Sequence, residues 1–321
     1  MAAAEVKGEA AVSQVVTTKA RFENGTIGAM DGAADQKKGR RARRGRRGSS
    51  VAALTERDRQ VVRWVHLAGL ATREQVQKLL FTPGGRSRCQ HRLTMLHRRR
   101  FLDKLPRRAM NMPDVYFVSR KSVNGLRLLR AAGESDPLSL RSLPAAKLEH
   151  SLDIVSCRVQ ILKACGAMGL ALTTWLDEDE LAGPMGKWGV VPDAYFQISR
   201  PTEVGEKRSG FFLEVERSGK RDRDVLEKFR RYHDYYYGGE FEREFGLKAL
   251  RVLVLVGADY GLNAARRVLK FAELAARAEV PLMRFATLDG FLALQPHEAL
   301  NAPIWRRPGS EDLVGLFEVG K

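Results

Sequence analysis

The chain has 321 residues, of which 44% are hydrophobic, and it carries a formal net charge of +17 with a pI near 10.1. This length suggests two domains with ordinary packed cores, and the charge favours a polyanionic partner, most simply nucleic acid. No apolar run approaches the ~20 residues that span a membrane, and the N-terminus lacks a signal-peptide pattern. We therefore expect a soluble, cytoplasmic protein that has no membrane partner.

Residues 1–50 show no sustained periodicity and are rich in Ala, Gly and charge. Eight of the eleven residues from Lys37 to Arg47 are basic. Such a segment cannot bury a core, so we predict a disordered basic tail that binds phosphates without sequence preference. A solvated tail with no dedicated role is the alternative.

Residues 51–133 are predicted to form one small domain. Thr55 and Thr72 each precede an amphipathic segment and are suited to cap a helix. Three helices followed by a hairpin are the order of a winged helix-turn-helix domain, which binds DNA. The predicted helices and strands, in chain order, are 56–68, 73–81, 86–100, 101–105, 115–118 and 119–132.

The third helix lies where such a domain has its recognition helix. From Arg86 to Arg108 there are nine Lys or Arg residues and one acid, Asp103. We predict that this stretch contacts double-stranded DNA, with the early residues at base edges or phosphates and the later ones on the backbone. A solvated charged face is the alternative. The predicted DNA-binding residues are Arg86, Arg88, Gln90, His91, Arg92, Arg98, Arg99, Arg100, Arg107 and Arg108.

Residues 134–145, bracketed by Pro137 and Pro144, read as a linker. Residues 146–300 alternate between helix-type and strand-type patterns, which predicts an α/β domain with a central mixed sheet. We expect residues 301–321 to be a peripheral C-terminal segment. The predicted helices are 146–165, 222–237 and 263–276, and the predicted strands are 170–175, 190–198, 210–216, 250–256 and 282–286.

Acidic residues occur near the ends of two of these strands. Side chains two apart in a strand share a face, so Glu214 and Glu216 point one way, and Asp193 on the preceding strand can converge with them. Three carboxylates in one place repel one another unless a divalent metal or a basic side chain lies between them. A salt-bridge cluster with Lys228 and Arg231 therefore stands as the alternative to a metal site.

Pro192-Asp193 and Glu214-Val215-Glu216 resemble the motif of the PD-(D/E)xK nuclease superfamily, whose fold is restriction-endonuclease-like. The resemblance implies that Asp193 and Glu214 hold Mg²⁺ or Mn²⁺, with Glu216 as a further ligand. The superfamily places its catalytic lysine two residues after the second acid, where this chain has Glu216. Some members carry that lysine on the next helix, which makes Lys228 the candidate.

A basic winged helix followed by these motifs resembles the replication-relaxation family of bacterial plasmids and integrative elements. The resemblance implies a role in plasmid replication, DNA relaxation or transfer, with metal-dependent phosphodiester cleavage if Asp193, Glu214 and Lys228 are catalytic. It also makes a relaxase or replication initiator a candidate partner and a homodimer a candidate assembly. Two alternatives with a degenerate nuclease-like domain stay open: a non-catalytic DNA-binding or relaxosome accessory protein, and a transcriptional regulator.

Overall fold

A computed structural model describes residues 54–106, 112–135, 145–203, 205–217, 219–258 and 263–317. The chain divides into two compact units. We call the described residues from 54 to 135 the N-terminal unit and those from 145 to 317 the C-terminal unit. The predicted tail over 1–50, most of the predicted linker, and Arg107 and Arg108 lie outside the described residues.

The N-terminal unit combines four helices with one small antiparallel sheet. The sheet has the strand order β1-β3-β2. Its elements are α1 (Glu56–Leu67), β1 (Leu70–Thr72), α2 (Arg73–Leu80), α3 (Arg86–Arg98), β2 (Asp103–Lys104), β3 (Val115–Phe117) and α4 (Val123–Ala131).

Local sequence signals start two of these helices. Thr55 and Thr72 each cap a helix, and each takes part in a reciprocal capping box. The apolar faces then bury Trp64, Leu93 and Tyr116. Helix α4 begins four residues later than we predicted, because the backbone turns between Ser119 and Ser122.

The C-terminal unit is built on one seven-stranded mixed sheet with the order β10-β9-β8-β7-β6-β5-β4. Strands β6, β7 and β8 are parallel to one another, and the remaining pairs are antiparallel. Its elements are α5 (Ala145–Ala167), β4 (Ala171–Asp177), α6 (Glu178–Met185), β5 (Ala194–Thr202), β6 (Gly205–Glu216), α7 (Asp222–Tyr237), α8 (Glu240–Phe245), β7 (Leu250–Val256), α9 (Ala264–Arg277), β8 (Met283–Thr287), α10 (Leu288–Ala293), β9 (Trp305–Arg306) and β10 (Leu313–Val314).

Helices cover both faces of this sheet, so the C-terminal unit has three layers. On one face Phe212 packs in a core to which α7, α8 and α9 contribute. On the other face Phe211, Leu213 and Val215 pack in a core to which α5 and α10 contribute. The alternation predicted for this strand is therefore present, and it sends Glu214 to the same face as Phe212. Among the described helices, none has the length and apolar character needed to cross a membrane.

The segment after residue 300 is not peripheral over its described part, which corrects our prediction. Trp305 is fully buried and Leu316 is 1% exposed, and both belong to the core on the α5 face. Strand β9 pairs with β8, and β10 pairs with β9, so this segment completes the sheet. Two-residue strands are too short to show a period, which is why the sequence pattern missed them.

Candidate functional site

The predicted acidic site lies where the end of β6 meets the start of β5. We call Asp193, Glu214 and Glu216 the carboxylate centre. We expected Asp193 to lie within its strand, but β5 begins at Ala194. Pro192 has no backbone N–H to extend the ladder, and the Asp193 backbone N–H donates a hydrogen bond to the Leu213 carbonyl at 3.1 Å.

Glu214 is buried, with 7% of its surface exposed, and it forms an ion pair with Lys228. The Lys228 Nζ lies 2.6 Å from Oε2, and the Tyr232 hydroxyl donates a hydrogen bond to Oε1. Burial raises the pKa of Glu214 despite the lysine. Burial also opposes the charge on Lys228, but attraction to Glu214 outweighs it and the pKa of Lys228 is raised. Glu214 is thus a buried carboxylate whose two oxygens are both engaged, one by the partly exposed Lys228 and one by Tyr232.

Asp193 is held from two sides, by helix α5 and by the backbone of the neighbouring strand β6. Its Oδ1 lies 3.1 Å from the His150 Nε2 of α5, and its Oδ2 accepts a hydrogen bond from the Val215 backbone N–H at 2.7 Å. The hydrogen bond to Asp193 raises the pKa of His150. This contact gives His150 a structural role that ties α5 to the start of β5.

Glu216, the third acid of the carboxylate centre, forms an ion pair with Lys220. Glu216 Oε2 lies 3.2 Å from the Lys220 Nζ. The neighbouring Arg217 forms ion pairs with Asp153 and Glu149 of α5. Sequence reasoning missed the roles of Arg217, Lys220 and Tyr232. For Tyr232 a signal existed, because it lies four residues after Lys228 and so shares its helix face.

The arrangement does not match a divalent-metal site. Mg²⁺ and Mn²⁺ need several oxygen ligands that converge on one point. In the carboxylate centre, each acid instead contacts a protein donor, and Lys228 places its positive charge beside Glu214. Within the described ranges, no three His, Cys, Asp or Glu side chains are grouped so that they could hold a metal ion. The residues predicted as metal ligands therefore do not fit one as they lie, and we assign no step to a metal.

Helix α3 of the N-terminal unit presents the second predicted site. Arg86, Arg88, His91 and Arg98 are exposed on this helix, and Arg100 is exposed just beyond its end. Arg88 donates a hydrogen bond to the Thr82 hydroxyl, at 3.4 Å. Among the described residues, none of these five side chains contacts a carboxylate. They form an exposed basic surface, which we call the α3 surface.

Three other residues predicted to contact DNA are engaged within the protein. Arg92 forms a bidentate ion pair with the buried Asp58 of α1, with 2.7 Å between Nε and Oδ1. Gln90 accepts a hydrogen bond from Arg73 and donates one to Thr94. The Arg99 guanidinium lies over the Phe101 ring, 5.4 Å from its centroid. The sequence pattern could not separate these residues from the exposed ones, because their partners are distant in the chain or depend on the fold.

Fold and site together define a mixed α/β protein with an exposed basic helix in one unit and an ion-paired carboxylate centre in the other. A family model described as replication-relaxation matches residues 62–249, more than half of the 321-residue chain. The chain belongs to the replication-relaxation family, which confirms the resemblance seen in the motifs. No curated protein and no solved structure matches the chain.

Proposed function

We propose that this protein binds duplex DNA of a plasmid or other mobile element and acts in its replication or relaxation without cutting it. In this proposal the N-terminal unit is a winged helix-turn-helix domain. The C-terminal unit is a restriction-endonuclease-like domain whose carboxylate centre is closed by internal ion pairs. Family membership supports the replication or relaxation role, and the two sites support the mode of action.

The order of elements supports the assignment of the N-terminal unit. Helix α3 follows α2 after a short turn, and the strands β2 and β3 come directly after it. In a winged helix-turn-helix domain this is the position of the helix that enters the major groove.

The observation that carries the proposal is the contrast between the arginines of α3. Arg92 is neutralised by the buried Asp58, whereas Arg86, Arg88 and Arg98 are exposed with no carboxylate beside them within the described part of the chain. A surface that keeps several uncompensated cations on one helix is suited to phosphates, because each contact releases condensed counterions from DNA.

The carboxylate centre supports binding without cleavage. Phosphodiester cleavage by carboxylates of this kind relies on bound metal to stabilise the attacking and leaving oxygens. Here the Lys228 ammonium lies against Glu214, and Tyr232 takes the other oxygen. In this proposal the ion pair between Lys228 and Glu214 stabilises the end of the sheet, and Lys228 is occupied by it.

Fluorescence anisotropy with a labelled duplex of about three helical turns tests the α3 surface. We expect Arg86→Gln/Arg88→Gln to weaken binding about tenfold and to reduce the slope of log K against log salt by about 2. Lys121→Gln/Arg127→Gln is the matched control, since it removes two exposed charges from the same unit outside α3. Equal binding by the helix variant and the control would overturn the proposed interface.

A further inference from the structure

Strands β5 and β6 form a hairpin that projects beyond the rest of the sheet. The last residue of β5 that pairs with β4 is Ser199, and β6 begins to pair with β7 at Gly210. Beyond these points the two strands pair only with each other, through three further residue pairs. At about 3.3 Å per residue, this two-stranded ribbon extends about 10 Å past β4. From Arg200 to Arg208, every residue that the structure describes is exposed.

Two cations lie directly opposite each other on this ribbon. Arg200 pairs with Lys207 across the strands, so their side chains share one face. Like charges in this relation destabilise a strand pair, and an isolated two-stranded ribbon is itself only marginally stable. Neither side chain contacts a carboxylate among the residues that the structure describes. An anionic partner that reaches both cations would relieve this repulsion.

The acids of the ribbon do not neutralise this face. Glu206 lies on the opposite face, where it accepts a hydrogen bond from the Ser199 hydroxyl. Glu203 lies in the exposed turn between the strands. Along the sheet, Arg251 of β7 pairs with Phe211 and therefore lies on the same face as Lys207. Positive charge thus continues from the ribbon towards β7.

We propose that this ribbon is a second contact of the protein with the phosphate backbone of duplex DNA, made by Arg200 and Lys207. A two-stranded ribbon is narrow enough to lie along a groove of B-form DNA, where cations on one face reach phosphates. Contacts of this kind position the protein without reading sequence. The inference rests on the proposed function for its ligand, but it concerns the other unit and is tested separately.

The same anisotropy titration, repeated between about 50 and 200 mM salt, tests the ribbon. We compare full-length wild type with Arg200→Gln/Lys207→Gln. The matched control is Arg223→Gln/Arg230→Gln, which removes two exposed charges of the same unit from α7. Because the ribbon side chains are exposed and repel each other, we expect its variant to keep the wild-type melting temperature, which shows that it is folded.

We expect the ribbon variant to lose about tenfold in affinity and about 2 from the salt slope, with the control close to wild type. Equal affinity and slope for the ribbon variant and the control would overturn the ribbon contact, even if the α3 variant fails to bind. The converse result, with the ribbon variant impaired and the α3 variant normal, would support the ribbon and overturn the α3 surface. A wild type that binds no DNA would overturn both.

Discussion

Two buried carboxylates, Asp58 and Glu214, are each held by one basic side chain. Asp58 is 1% exposed and Glu214 is 7% exposed. Their partners Arg92 and Lys228 come from helices that are distant in the chain or separated by a turn. Removing one partner of such a pair leaves an uncompensated charge in a poorly solvated place, which costs more than the pair itself contributes.

Replacing Lys228 by Met should lower the free energy of unfolding by about 3 kcal/mol at neutral pH. The pKa of Glu214, which burial already raises, would then rise further, because the charge and the hydrogen bond of Lys228 that lower it would be gone. A group whose pKa is raised in the folded state costs stability when it ionises, so the variant should lose stability relative to wild type as pH rises above 4.5.

Urea denaturation at several pH values measures this effect. The double variant Lys228→Met/Glu214→Gln is the control, since it removes both charges and should recover most of the loss. A single variant as stable as wild type throughout would show that the ion pair does not hold the sheet end.

The pair of Asp58 and Arg92 gives a prediction on the acid side. Burial opposes ionisation of Asp58, but hydrogen bonds from Arg92 and Thr55 outweigh it, and its pKa lies below 3.8. A depressed carboxyl pKa contributes stability that is present above 3.8 and is lost as pH falls through the folded-state value. We therefore expect Arg92→Met to cost about 3 kcal/mol at neutral pH and less in acid.

Thermal melts of wild type and Arg92→Met across acidic pH would check the trend. DNA binding separates this role from contact with phosphate, because the folded variant should bind as wild type does. A folded Arg92→Met protein that loses DNA affinity, with no loss of stability, would return Arg92 to the DNA-contacting residues.

At the scale of elements, α4 depends on a close approach to the turn that follows α3. A Cβ placed on Gly125 would lie 2.2 Å from the carbonyl oxygen of Phe101. Ala normally stabilises a helix by up to about 1 kcal/mol over Gly, but here we expect Gly125→Ala to destabilise by about 1–3 kcal/mol. Gly166→Ala in α5 is the matched control, since nothing lies within 4 Å of its added Cβ.

Chemical denaturation of both glycine variants distinguishes packing from helix propensity. We expect a lower free energy of unfolding for Gly125→Ala and no decrease for Gly166→Ala. A neutral Gly125→Ala would mean that α4 shifts freely against the preceding turn.

Elements with a local signal could be predicted from the sequence. Thr55 and Thr72 cap their helices through residues three positions away, and the alternation of β6 follows from period two alone. The pairing of Arg92 with Asp58 could not be predicted, because it joins residues 34 positions apart. The same holds for Arg217 with Asp153, 64 positions apart. Sequence pattern places charge on an element, and only tertiary packing decides which charge is neutralised.

At the scale of the whole molecule, the two units differ in whether their charged side chains are paired within the protein. The N-terminal unit holds the α3 surface, whose cations lack carboxylate partners among the described residues. The C-terminal unit holds a carboxylate centre whose three acids each contact a donor of the protein itself. This distribution of neutralised and exposed charge is the basis of our proposal that the protein binds DNA without cutting it.

Incubation of the purified protein with supercoiled plasmid carrying its own element's origin, with Mg²⁺ or Mn²⁺, tests this claim most directly. The control is Asp193→Ala. The account predicts that plasmid is retarded in a gel by both proteins and stays intact. Nicked or linear plasmid that forms with wild type and is lost with Asp193→Ala would contradict it, because the carboxylate centre would then be catalytic.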